Sequence, residues 1–174
     1  FLRNIIDTDK EMKMGKWNKI KGKSLSEVTL GIIGLGNVGS QVARRANSFN
    51  MNILGNDIRE IKSIIIEEYN IKMTSKEELF EKCDIISLNC DLNETSYHLF
   101  TNNEFSKMEK NPIIINTARG PLIKEEDLIR ALKENEINGV GLDVFEGEPL
   151  PKNSPLRNMD NVVLSPHNAN SSPK

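Results

Sequence analysis

The 174-residue chain has two cysteines, one tryptophan and only 5% aromatic residues. Two thiols, Cys83 and Cys90, are too few for a disulfide-stapled secreted scaffold and suit a reducing cytoplasm. One lies before an apolar run and the other at its far end, so no bridge between them is expected. Charge is nearly balanced, 23 Lys and Arg against 25 Asp and Glu, for a net charge of −2. That leaves no basic field for nucleic acid. No apolar run approaches the roughly 20 residues of a membrane span. No charged-then-apolar leader is visible before Phe1, so either the natural start has been removed or the chain is a piece of a longer one. The expectation is one soluble, cytoplasmic domain with a real core and no metal site.

What the chain does have is concentrated in residues 28–57. An apolar run leads into Gly34-Leu35-Gly36-Asn37-Val38-Gly39, then a segment with helical spacing, then a second apolar run ending at Asp57. Strand, glycine turn, helix, strand and acid is the order a dinucleotide site requires. Gly34 permits the sharp turn, Gly36 removes a Cβ where the pyrophosphate meets the backbone, and Gly39 lets the helix lie close to the sheet. The first free N–H groups, near Asn37 and Val38, face the phosphates with the helix dipole behind them. Asp57 follows Gly39 by 18 positions, near the roughly 20 expected for the carboxylate on the adenosine ribose. A 2′-phosphate would meet a like charge there, which points to NAD rather than NADP. Arg59, close by, is the one residue that could accommodate that phosphate.

Residues 1–22 carry Leu2, Ile5, Ile6 and Met12 at helical spacing but are otherwise polar, which fits an arm packing on another surface. Trp17 is either a contact anchor or packing against its own domain. Residues 58–69 read as helix or turn, and 71–74 as a short strand. Ser75 to Glu78 and Thr101 to Glu104 both have the form of capping boxes, the second opening a helix through Met108. Strands are expected at 84–88, 112–116, 138–143 and 162–165, with an amphipathic helix over 125–134 whose Lys124 is a poor cap. Alternating strands and helices mean an α/β, doubly wound parallel sheet, Rossmann-like, spanning residues 23–174.

Ligands bind such a sheet at the carboxyl ends of its strands. Arg119, Asp143, Glu148 and His167 all fall there. Reduction of a 2-keto acid needs a fixed cation for the substrate carboxylate and carbonyl, which Arg119 offers as a planar donor fork. It also needs a proton donor, and His167 is the candidate on this edge. An isolated imidazole, with a pKa of about 6.5, is mostly neutral at pH 7. A carboxylate beside it favours the charged form, and Glu148 is the partner expected. His98, with no carboxylate pairing evident from its neighbours, reads as structural or surface.

These residues resemble the NAD-binding domain of the D-isomer-specific 2-hydroxyacid dehydrogenases. The motifs are the glycine turn with Asp57, Asn116-Thr117-Ala118-Arg119-Gly120, the run from Gly141 through Asp143 to Glu148-Pro149, and Ser165-Pro166-His167. The resemblance implies that Arg119 orients and polarises the substrate, that Glu148 and His167 form the acid and base pair, and that Asp143 helps place the nicotinamide. Glu148 is preferred to Glu146 because the family's acid lies five residues after the motif aspartate. Asn89, Cys90, Thr117, Ala118 and His167 would flank the cofactor, although Asn89-Cys90-Asp91 departs from the His, apolar, Pro pattern frequent in the family. The arm over 1–22 would serve a homodimer. The family builds a substrate domain from the beginning and end of its chain, and neither is in this sequence, so these residues alone are expected to bind NAD and turn over substrate poorly. The implied substrate is a small 2-hydroxy or 2-keto acid, phosphoglycerate first. The alternatives are a glyoxylate or hydroxypyruvate reductase, or a non-catalytic NAD-sensing protein like the corepressors of this fold.

Overall fold

The computed structural model describes residues 1–169; the last five residues of the expected domain lie outside the described residues. An outlying helix α1 (Ile5–Lys13) precedes an alternation of β1 (Thr29–Ile33), α2 (Asn37–Ser48), β2 (Asn52–Asn56), α3 (Ser63–Glu68), β3 (Ile71–Met73), α4 (Lys76–Lys82), β4 (Ile85–Leu88), α5 (Asn102–Phe105), β5 (Ile113–Asn116), α6 (Glu125–Lys133), β6 (Gly139–Leu142) and β7 (Val162–Leu164). The seven strands form one sheet in the order β3-β2-β1-β4-β5-β6-β7, and every neighbouring pair is parallel. Parallel pairing puts the carboxyl ends of all seven strands on one rim.

The strands are apolar almost throughout because helices cover both faces. On one face Leu30 and Ile32 of β1 and Ile53 of β2 pack against Ala43 and Ala46 of α2. On the other, Ile86, Ile114 and Val140 meet Leu79, Phe80, Leu128 and Leu132 of α4 and α6. Successive residues of a strand point to opposite faces, so β1 feeds both cores, with Ile32 in one and Ile33 in the other, and β2 does the same with Ile53 and Leu54.

Helix boundaries follow local hydrogen bonding. The reciprocal capping box at Thr101 and Glu104 forms. The helix it opens stops at Phe105, not Met108, because i to i+3 bonds such as Met108 N to Phe105 O (3.1 Å) tighten the following turn. At Ser75 only half the expected box forms. The hydroxyl accepts from Glu78 N, while the Glu78 side chain turns to Lys72, Lys82 and Thr74. Of the ambiguous stretch 58–69, only Ser63–Glu68 is helical.

In the arm, α1 has no buried residue. Trp17 is 86% exposed, so packing against its own domain does not account for it. Both thiols are free, and burial pushes Cys83 up to about 12, an unreactive core residue.

Candidate active site

The glycine turn at the tip of β1 is built as a cradle. Gly34 has φ 89°, a conformation that L side chains rarely adopt, and a Cβ there would lie 2.5 Å from Cys90 N. A Cβ on Gly39 would lie 1.9 Å from Gly34 O, so only glycine lets α2 start this close to the strand. At Gly36, by contrast, the nearest atom to a Cβ is Arg59 Nη2 at 3.3 Å, leaving the backbone approachable from outside. The first amides of α2 have no intrahelical acceptor, and Gly36, Asn37 and Val38 line a cleft of about 510 Å³. Asp57, Asn89 and Cys90 line it too, and the volume suits an extended small ligand. Glycine cradle, helix terminus and acid together fit the adenosine and pyrophosphate of a dinucleotide.

Asp57 closes the cleft at the end of β2, and its side chain is only 4% exposed. Oδ2 accepts from Leu35 N at 2.7 Å and Oδ1 from Arg59 N at 2.9 Å. The Arg59 fork adds contacts of 3.2 Å from Nε and from Nη2. Burial pushes the carboxyl up, but the Arg59 and Leu35 hydrogen bonds outweigh it and hold the group below its ordinary value. The acid is therefore charged and fixed, and Arg59 is engaged by it.

Farther along the same rim the other candidates are linked through backbone. Buried Asn116, at the end of β5, donates from Nδ2 to Arg119 O (2.9 Å) and accepts from Ala118 N (3.1 Å). That pins the turn on which Thr117 and Arg119 are exposed. Asp143 N donates to Asn116 O, and His167 N donates to Asp143 O at 2.8 Å. The Asp143 carboxylate accepts from Ser165 Oγ, Asn168 N and Ala169 N. Burial pushes this carboxyl up, and those three donors, with His167 nearby, bring it below its ordinary value. Asp143 thus secures the segment bearing His167, which itself sits at φ 54°, an uncommon conformation for a non-glycine residue.

His167 Nδ1 lies 2.9 Å from Glu148 Oε2, and Phe145 N donates to Glu148 Oε1 at 3.0 Å. The His167 hydrogen bond, then the Phe145 amide, hold the Glu148 carboxyl below its usual range. The expected pair is therefore in contact. Among the described residues the Arg119 side chain meets neither member, donating instead to Ala118 O at 2.6 Å.

One expectation is corrected. His98 does have a carboxylate, Glu146 Oε1, 2.5 Å from its Nε2. The same Glu146 accepts from Glu125 N at 2.8 Å, supplying the cap that Lys124 cannot. Asn116 and Ser165 also organise the site and were not singled out from the sequence. The available signal was a polar residue ending or leaving an apolar strand within each motif.

Compared with known proteins, residues 1–169 match the family described as D-isomer specific 2-hydroxyacid dehydrogenase, NAD binding domain. A glyoxylate reductase of Thermofilum pendens is 42% identical over 171 residues, covering 95% of this chain and 50% of that protein. A D-3-phosphoglycerate dehydrogenase of Methanocaldococcus jannaschii is also 42% identical, over 95% of this chain and 32% of its own length. The crystal structure of a glyoxylate reductase from Paecilomyes thermophila superposes with a TM-score of 0.86 at 35% identity, covering 98% of this chain and 52% of that one. The chain spans about half the length, or less, of each of these relatives.

Proposed function

This chain belongs to the D-isomer specific 2-hydroxyacid dehydrogenases, as their NAD-binding domain, and from that premise we propose that it serves hydride transfer between nicotinamide and a small 2-keto or 2-hydroxy acid. The observation that carries the reading is the His167–Glu148 contact of 2.9 Å on the rim that also holds the glycine cradle. When bound, NAD supplies or accepts the hydride. Arg119, a permanently charged fork at the tip of β5, holds the substrate carboxylate and polarises the carbonyl. With Nδ1 turned to Glu148, His167 has Nε2 left to give a proton to the oxygen during reduction and to take it back during oxidation. Glu148 keeps the ring oriented through the contact at Nδ1. Asp143 holds the segment on which that ring stands.

The relatives are named for glyoxylate and for phosphoglycerate, so the test is a panel of glyoxylate, hydroxypyruvate and 3-phosphohydroxypyruvate with NADH and the natural full-length polypeptide. Turnover of at least one supports the reading. Tight NADH binding with no oxidation by any of them counts against it. Asp57 carries the choice of cofactor. Replacing Asp57→Ala removes a charged acceptor, a group whose hydrogen bonds are worth about 1.5–3 kcal/mol, so NAD affinity falls by roughly ten- to a hundredfold and NADP affinity falls less. Wild type preferring NADP would overturn this assignment.

Residues 1–22 we assign to self-association and 23–174 to dinucleotide binding, in a cytoplasmic protein. What supports the first is the exposure of Ile5, Met12, Met14 and Trp17 along one arm.

A further inference from the structure

Glu146 has an arrangement that neither the glycine cradle nor the His167–Glu148 pair requires. Its carboxylate is shared between His98 Nε2 at 2.5 Å and Glu125 N at 2.8 Å. His98 lies on the segment after β4, which begins with Asn89 and Cys90. Glu125 opens α6, directly after the segment that carries Arg119. Glu146 itself stands two residues before Glu148. One carboxylate thus fastens three of the strand-tip segments that bear candidate residues, those after β4, β5 and β6.

The fastening is stiff on every side. The His98 ring stacks on Tyr97 with centroids 4.0 Å apart, and His98 N donates to Pro121 O at 2.8 Å. Immediately before Glu146, buried Phe145 lies with its carbonyl against Gly120, where a Cβ would come within 1.8 Å. The residue after Arg119 therefore touches the residue before Glu146. Burial, with the Glu146 charge beside it, pushes the Glu125 carboxyl up. From this clamp the chain runs through Phe145, whose amide holds Glu148, to His167.

We propose that Glu146 and His98 are positioning residues: their contact fixes the segment that presents Glu148 to His167, and so sets the geometry of proton transfer without touching substrate or cofactor. The inference rests on the hydride-transfer reading above. A small misplacement of a reacting group can cost about a hundredfold in rate. Glu146→Ala should therefore lower kcat for reduction by roughly ten- to a hundredfold, with the NADH dissociation constant changed less than about threefold. Glu146→Gln, which keeps an acceptor for Glu125 N and a donor for His98, should restore most of the loss. Because Glu146→Ala also uncaps α6, His98→Asn is the second variant. It leaves that cap in place, and asparagine tolerates the left-handed backbone of His98 (φ 49°); its kcat should fall in the same direction.

A readout independent of turnover comes from there being only two histidines in the chain. Glu146 makes no hydrogen bond to His167 among the described residues, yet in Glu146→Ala the His167 imidazole Cε1–H resonance should move. Unchanged kcat in both variants, or kcat and NADH affinity falling together, would overturn the proposal. If wild type reduces none of the 2-keto acids, the functional reading fails, and the positioning claim is then decided by the His167 resonance alone: a shift supports it and an unmoved signal overturns it.

Discussion

His167→Asn lowers 2-keto acid reduction by about two to four orders of magnitude, the range removed with a general acid, while NADH still binds within a few-fold of wild type. Asparagine is the replacement of choice because position 167 has φ 54°, a region where its short polar side chain is tolerated. Its backbone N–H can keep the 2.8 Å bond to Asp143 O, so the segment stays in place and only the proton donor is lost. Stopped-flow oxidation of NADH measures the first quantity and fluorescence titration the second. The pair also gives a pH signature. Glu148 is held below its ordinary value by His167, so its contribution to pairing is complete above about pH 4.3 and lost only as pH falls through the depressed value. Glu148→Gln has no carboxylate to protonate, so its reduction rate should lack the loss that the wild type shows as pH falls through that depressed value.

The glycine cradle predicts two different failures from the same small change. A methyl group at position 39 would lie 1.9 Å from Gly34 O. Both atoms belong to backbone, so neither can swing away, and α2 must shift from β1. Overpacking of this kind costs about 1–3 kcal/mol or more, and it displaces the turn itself. Gly39→Ala should therefore lower the melting temperature by several degrees and abolish measurable NAD binding. At position 36 the only neighbour among the described residues is the end of the Arg59 side chain, 3.3 Å away. Gly36→Ala should melt close to wild type yet bind NAD at least tenfold more weakly, because its methyl group occupies the face on which the pyrophosphate rests. Thermal melts and NAD titrations of the two variants, run side by side, separate a packing role from a binding role. Equal melting temperatures for both would contradict the assignment.

Legibility in the sequence followed distance along the chain. The strand, glycine turn, helix and acid from Val28 to Asp57 were readable because each residue type answers a local demand. The parallel sheet followed from the alternation alone. Arg119, Glu148 and His167 could be placed on one rim by the same logic, and the His167–Glu148 contact, 19 residues apart, required motif knowledge as well. The His98–Glu146 contact spans 48 residues, and nothing near His98 announces it. Lys124 could be seen as a poor cap, but the remedy reaches Glu125 N from 21 residues away. The two capping boxes look alike as four-residue patterns and differ in their surroundings. Glu78 has Lys72 and Lys82 within reach and is drawn to them, whereas Glu104 forms its reciprocal bond with Thr101. Charges outside a motif decided which motif was completed.

We infer that a nicotinamide seated from the Gly34–Gly39 cradle reaches the imidazole of His167. Titration of the wild-type chain with NADH, followed at the two histidine resonances, tests it directly. The His167 signal should move in step with saturation measured by fluorescence, and NADPH at equal concentration should move it far less. NADH saturating the chain while the His167 signal stays where it began would contradict the account.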